Sequence, residues 1–162
     1  MSTRLSDFFR YNLWANRGLL DACENLTDAQ LDFTIEKGMY GSIRQTLMHI
    51  FTSQEGYVPR FDFIGARPTP PLKEFTSFPG FDELRRRAEW SGKALLATAE
   101  QADLSEVLHL DNGTYDAEVI IVLIQAINHG VDHRSQISTL LTQLGIEPPV
   151  LDGWFYNDYL RA

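Results

Sequence analysis

Apolar residues recur at three- and four-residue steps in four separate stretches, which is the pattern of amphipathic helices. The first stretch runs from Ser2 to Leu26, the second starts at Ser42, the third covers Phe81–Ala102, and the fourth ends at about Leu144. The chain shows no β-α alternation and no internal repeat. For 162 residues this order predicts a single all-α domain, residues 1–162, folded as a four-helix bundle.

Local polar signals predict where the helices begin and end. Ser42-Ile43-Arg44-Gln45 has the S-x-x-Q form of a capping box, and Thr27-Asp28-Ala29-Gln30 resembles another capped turn. Asp116 is the expected N-cap of the fourth helix, and Gly145, followed by two prolines, is its expected stop.

The predicted connections differ greatly in length. Prolines and glycines between Pro59 and Gly80 exclude a regular helix and predict a long loop. Four phenylalanines of this loop are expected to anchor it to the bundle or to form the wall of a pocket: Phe61, Phe63, Phe75 and Phe78. An ordered loop of this length could act as a lid. Residue polarity alternates along Val107–Tyr115 around Asn112-Gly113, which predicts a small hairpin. The aromatic tail Trp154–Leu160 predicts a short closing helix.

The first half of the fourth helix, Val119–Ile124, is apolar on every side. A helix of this kind must be covered all round, so we expect part of it to pack against a second subunit.

Charge and composition exclude several classes of function. A net charge of −8 opposes binding to nucleic acid, and the basic run Arg85-Arg86-Arg87 is flanked by Glu83 and Glu89, as on a solvated helix face with ion pairs. Residues 1–30 contain no continuous apolar core of a signal peptide, and the longest nearly apolar run, Val119–Ile127, is too short for a membrane span. One cysteine, Cys23, excludes an intramolecular disulfide and fits a reducing compartment. We therefore expect a cytoplasmic protein without membrane or nucleic-acid partners.

Two of the four histidines, His129 and His133, stand four residues apart in the fourth helix, so both imidazoles can reach one cation. Zinc or nickel with an open coordination position requires a third protein ligand. His49 lies in the second helix among small residues, whereas His109 lies in a polar turn, so we expect His49 to be the third ligand. The alternatives are core histidines bonded to other groups, or a chance pair on a solvated face.

Three motifs in this order resemble the DinB family of bacterial four-helix bundles: Tyr11-Asn12-Leu13-Trp14-Ala15-Asn16-Arg17, Leu47-Met48-His49-Ile50, and Asn128-His129 to His133-Arg134-Ser135-Gln136. The resemblance covers essentially the whole chain. It implies a ligand triad of His49, His129 and His133, a divalent metal such as nickel or zinc, and a homodimer. The wider superfamily includes mycothiol-dependent isomerases and bacillithiol transferases, which implies a low-molecular-weight thiol as co-substrate.

The residues allow three kinds of function. In the first, the metal activates a low-molecular-weight thiol for transfer to an electrophilic small molecule. In the second, metal-bound water hydrolyses an ester or amide, although Gly130 stands where an H-E-x-x-H motif has its general base. In the third, the bundle binds a metal or ligand without catalysis, although Cys23 is not placed to close a structural site.

Three polar residues are candidates to support the site. Asp132 could orient a ligand histidine or act as a base, with a surface ion pair as the alternative. Gln136 lies one turn beyond His133 and could bond a ligand or substrate. Asn12 shares the apolar stripe of the first helix with Asn16 beside it, and backbone or water partners are the alternative to a role at the site. Arg134 is expected to point away from the histidines and to have no catalytic role, with a partner across a dimer as the alternative.

Overall fold

The computed structural model describes residues 4–35, 37–58, 63–74 and 77–162. Its four long helices are α1 (Leu5–Cys23), α3 (Ile43–Tyr57), α4 (Phe81–Gln101) and α5 (Val119–Gln143). In this part of the chain α1 packs on α4, α4 on α3, α3 on α5, and α5 on α1, which closes a ring. The predicted all-α four-helix bundle is therefore confirmed.

The shorter elements follow the predicted turn chemistry. α2 (Asp28–Leu31) and α3 both begin with complete capping boxes, at Thr27 and Ser42. β1 (Val107–Leu110) and β2 (Tyr115–Glu118) form the expected antiparallel hairpin, joined by a 3₁₀ turn at Asp111–Gly113.

The aromatic tail forms α6 (Gly153–Tyr159), as expected, and it packs on α1. The Trp14 ring lies 5.1 Å from the Tyr156 ring and 5.9 Å from the Tyr159 ring. The Tyr11 hydroxyl donates a hydrogen bond to the Leu151 carbonyl at 2.6 Å. The aromatic residues of the α1 motif therefore dock the C-terminal segment.

Two apolar clusters fill the two ends of the bundle. One cluster includes Leu19, Leu47, Phe51 and Ile137, whereas the other includes Phe9, Leu95, Leu123 and Ala126. On each long helix, buried polar residues separate the two clusters. The middle of the bundle is therefore a polar layer.

This polar layer links all four long helices through hydrogen bonds. Gln54 of α3 accepts from Asn12 (3.1 Å) and Asn16 (2.8 Å) of α1, and donates to Ser91 of α4 at 2.7 Å. Arg134 of α5 donates from Nη1 to the side-chain oxygens of Asn12 and Asn16, both at 2.7 Å. Because each bond joins two helices, the layer fixes how they are rotated against one another.

Arg134 points away from the histidines, as expected, but two alternatives drawn from the sequence need correction, one for Asn12 and one for Arg134. Asn12 is hydrogen-bonded to the side chains of Gln54 and Arg134 on neighbouring helices. Arg134 is only 4% exposed and points into the bundle, so it is not available to a partner across a dimer. The reason is rotational, since Arg134 follows His133 by about 100° around the helix and faces α1 while His133 faces α3.

The arginine run also differs in one position from the expected solvated face. Arg85 pairs with Asp21 and Glu24, and Arg86 pairs with Glu83, as expected. Arg87 is 4% exposed and forms a buried ion pair with Glu55 of α3 at 3.0 Å. Burial of Arg87 is tolerated because a carboxylate and a carbonyl satisfy its guanidinium.

The described parts of the predicted long loop, residues 63–74 and 77–80, contain no helix or strand. Phe78 packs on the core and against Phe81 at 5.3 Å, as expected of an anchor, and Phe63 is half-buried. Pro59, Phe61 and Phe75, which the sequence also assigns to this loop, lie outside the described residues.

The start of α5 differs from expectation. Asp116 lies in β2, where its carboxylate bonds His109 across the hairpin, and Glu118 precedes α5 without a side-chain cap. The predicted N-cap is therefore wrong, because strand pairing with β1 extends the hairpin up to the first residue of the helix. The helix ends where expected, before Gly145, which has a φ of 72°.

The apolar first half of α5 is only partly covered by the chain itself. Ile121 and Ile124 remain 47% and 54% exposed. The homodimer expected from this pattern stays a prediction. Across the described residues, none of the helices combines the length and the apolar character that a membrane crossing requires.

Replacing Gln54 with leucine should destabilise the fold by about 2 to 4 kcal/mol, because the amides of Asn12 and Asn16 and the Ser91 hydroxyl lose a buried partner. The measurement is the free energy of unfolding in urea. Gln143→Leu, at an exposed position of α5, is the matched control and should change stability by less than about 0.5 kcal/mol. Equal stability of the two variants would contradict the role assigned to the polar layer.

Candidate metal centre

The structure brings His49, His129 and His133 together beside the polar layer, where α3 packs on α5. One nitrogen from each imidazole lies within 4.8 Å of the corresponding nitrogens of the other two. The Nε2 atoms of His49 and His129 are 3.0 Å apart, and the ring of His133 lies 4.6 Å from His49 and 4.4 Å from His129. His109, the alternative considered from sequence, is in the hairpin, bonded to Asp116.

Burial keeps two of these imidazoles neutral near neutral pH. Desolvation, followed by the nearby His133 and His49, lowers the pKa of His129 to about 4. Desolvation also lowers the pKa of His133. Neutral imidazoles are the form that binds a metal ion, because each has a free lone pair.

Glu74 and Tyr40, which sequence reasoning missed, surround His49. Nδ1 of His49 donates to the Glu74 carboxylate at 2.7 Å, and the Tyr40 hydroxyl donates to the same carboxylate. The Tyr40 ring stacks on His49 with centroids 3.8 Å apart and planes inclined by 15°. Tyr40 therefore covers one face of the His49 ring, and Glu74 binds its Nδ1. The remaining nitrogen, Nε2, faces the other two histidines.

The charges of this pair are set by the same contacts. Partial burial acts to raise the pKa of Glu74, but hydrogen bonds from Tyr40 and His49 outweigh it and hold the pKa below its usual value. Desolvation and the adjacent carboxylate raise the pKa of Tyr40 to about 12. Near neutral pH, Glu74 is thus an anion that accepts hydrogen bonds and Tyr40 is a phenol that donates one.

Gln136 contacts the site as the sequence suggested. Its side-chain oxygen lies 3.2 Å from Nδ1 of His133 and accepts from the backbone N–H of Tyr40 at 3.1 Å. Asp132 is exposed and accepts a 3.4 Å hydrogen bond from Gln136. Its negative charge also acts to raise the pKa of His129 and His133, against the larger effect of desolvation. The third candidate, Asn12, bonds Gln54 and Arg134 in the polar layer rather than a histidine.

Gly130, between the two α5 histidines, faces the polar layer. A Cβ at this position would lie 2.8 Å from Nη1 of Arg134 and 3.0 Å from the Asn12 side-chain oxygen. A glutamate here would collide with the layer instead of reaching the histidines. The site therefore excludes the H-E-x-x-H arrangement for a structural reason.

The donor set fits a borderline divalent ion. Nitrogens bound to one zinc ion at about 2.0 to 2.1 Å stand roughly 3 to 3.5 Å apart, and the 3.0 Å between His49 and His129 matches this spacing. Without an ion, two Nε2 atoms at this distance require a shared proton or suffer repulsion of lone pairs. Within the described ranges no fourth histidine, cysteine, aspartate or glutamate joins the group.

A large cleft lies near the triad, on the far side of Tyr57 from His129. It has a volume of about 1310 Å³ and lies between α3, α5 and the β1–β2 hairpin. Tyr57 forms part of its wall and also contacts the His129 ring, with centroids 5.5 Å apart. Ser53 and Gly56, the small residues expected near His49, line the same cleft. None of the three histidines lines the cleft, and Tyr57 is the described residue that both lines it and touches His129.

The residues missed from sequence have few signals that could have revealed them. Glu74 is in a loop without periodicity, and its approach to His49 depends on how that loop folds back. Tyr40 belongs to the irregular stretch Lys37–Gly41, where sequence indicated only a break. Tyr57 was visible in the apolar stripe of α3, but there it reads as a core residue.

Comparison with known proteins identifies the family of the chain. The family model described as the DinB family matches residues 1–160. A similar protein is Protein DinB of Bacillus subtilis (strain 168), which is 25% identical over 166 residues, covering 94% of this chain and 95% of that protein. Since the family model spans nearly the whole sequence and the fold is a helical bundle with a possible three-histidine metal site, this chain belongs to the DinB family.

Proposed function

We propose that the protein binds one divalent ion, zinc or nickel, through His49, His129 and His133 and activates a low-molecular-weight thiol for transfer to an electrophile. The observation that carries this proposal is the convergence of three imidazoles from α3 and α5 on one point. A bound ion would supply positive charge that lowers the pKa of a thiol placed beside it.

The thiol must come from a second substrate. Cys23 is the only cysteine of the chain and is completely buried in the core. Burial raises the pKa of the Cys23 thiol to about 12, so it carries almost no thiolate near neutral pH. The protein therefore supplies the site, and an external thiol supplies the nucleophile.

The cleft beside His129 is the proposed site for the electrophile. Its walls include Tyr57, Val58, Leu108, Leu110 and Ile121, which suit a molecule with an apolar body. Arg67 adds a positive charge to the lining, and its side chain is fixed by a 2.6 Å hydrogen bond to the Glu55 carbonyl.

Hydrolysis has less support because it needs a general base near the histidines. Asp132 is exposed and bonded to Gln136. The Glu74 carboxylate already accepts hydrogen bonds from His49 and Tyr40, and its lowered pKa makes it a weak base. A non-catalytic metal site also has less support, since structural zinc sites are usually closed by a fourth protein ligand and the described residues place none beside the three histidines.

We expect wild-type protein, equilibrated with zinc or nickel and then desalted, to retain about one ion per chain. His49→Ala and His133→Ala should each lose the ion while remaining helical by circular dichroism, because two nitrogens make an incomplete site. His109→Ala is the matched control, since His109 lies in the hairpin, and it should retain the ion. The measurement is elemental mass spectrometry on tag-free protein.

No retained ion in wild type would overturn the metal proposal. Retention by His49→Ala would overturn the assignment of the triad.

The metal-loaded protein should accelerate consumption of a low-molecular-weight thiol by a chlorinated nitroaromatic electrophile. Chelation of the metal, or His133→Ala, should return the reaction to the uncatalysed rate, whereas Cys23→Ala should leave it unchanged. The measurement is free thiol over time, with and without protein, across several thiols. Metal-dependent ester cleavage without thiol would instead favour hydrolysis, and absence of both activities would favour a binding protein.

A further inference from the structure

We propose that Glu74 is a positioning residue for the metal site: its carboxylate holds His49 through Nδ1 so that Nε2 faces His129 and His133. This inference rests on the proposed metal binding. Its basis is the 2.7 Å hydrogen bond from His49 Nδ1 to Glu74, together with the opposite placement of Nε2, 3.0 Å from His129.

The carboxylate selects one form of the imidazole. Because an ionised carboxylate only accepts hydrogen bonds, Nδ1 of His49 must carry the proton. The lone pair of the neutral ring is then on Nε2, on the side of the other histidines. An outer carboxylate bonded to a ligand histidine typically contributes 10- to 100-fold to metal affinity.

Glu74 is held in place rather than freely exposed. Its side chain is 25% exposed, and the Tyr40 hydroxyl bonds the same carboxylate while the Tyr40 ring covers His49. Tyr40 also reaches Gln136, which accepts its backbone N–H and contacts His133. Tyr40 thus contacts both Glu74, the acceptor for His49, and Gln136, the residue bonded to His133.

The loop that carries Glu74 is fastened to a buried ion pair. Glu55 and Arg87, both buried, lie between α3 and α4. Arg87 donates to the Pro70 carbonyl at 2.7 Å, and Glu55 accepts the Leu72 N–H at 3.3 Å. These bonds fix the backbone two and four residues before Glu74. The carboxylate is therefore delivered to His49 by a segment tied to the bundle.

The test compares two carboxylates near the triad, of which only one bonds a histidine. Zinc affinity is measured by competition with a chromogenic chelator for wild type, Glu74→Ala, Glu74→Gln and Asp132→Ala. We expect Glu74→Ala to weaken zinc binding about 10- to 100-fold. Glu74→Gln should recover most of this loss, because its amide oxygen can accept the Nδ1 proton. Asp132→Ala removes a charge but no bond to histidine, and should change affinity less than about threefold.

A second readout follows the imidazole itself. Long-range ¹H–¹⁵N NMR of the metal-free protein should show His49 with its proton on Nδ1 in wild type and in Glu74→Gln. In Glu74→Ala we expect a substantial fraction with the proton on Nε2. A general loss of folding would alter all histidines, whereas loss of positioning alters His49 and leaves the His109 signals in place.

The outcomes separate the two proposals. If wild type binds zinc and Glu74→Ala binds it with the same affinity, the role of Glu74 is overturned but the metal site is not. Equal losses in Glu74→Ala and Asp132→Ala would overturn positioning in favour of a general effect of charge. Wild type that binds no zinc would overturn the metal proposal and this one with it.

Discussion

The guanidinium of Arg134 in the middle of the bundle constrains the rest of the structure. Burial lowers its pKa, and its Nη1 bonds are to neutral amide oxygens of Asn12 and Asn16 rather than to a carboxylate. A charge in this position requires its partners to be held accurately, because an unpaired buried charge is costly. Since the same amides are bonded to Gln54, the position of α5 is tied to both α1 and α3.

The rotation of α5 has two results. With Arg134 directed inward, the neighbouring His133 and the preceding turn with His129 lie on the side of α3, where His49 meets them. Gly130 leaves the space that the guanidinium occupies. The inner layer and the outer histidine site are therefore two faces of one helix segment. A change to either is expected to disturb the other through rotation rather than through direct contact.

Local signals were enough to predict the helices, the capping boxes, the hairpin and the meeting of α3 and α5 at the histidines. Helical angle alone could not identify the interior positions of Arg87 and Arg134, because an arginine is buried only when another helix supplies acceptors, here Glu55 and the two asparagines. The contact of Glu74 with the site could not be predicted from the sequence for a different reason. Its approach to His49 depends on the tertiary path of a loop without periodicity.

The fastening of residues 63–74 has an evolutionary consequence. Apart from Arg67, the described bonds to Glu55 and Arg87 use main-chain atoms of Pro70 and Leu72. Main-chain anchors do not depend on which side chains the segment carries. Descendants of this sequence could therefore exchange loop side chains other than Glu74 while the helices and the three histidines stay as they are.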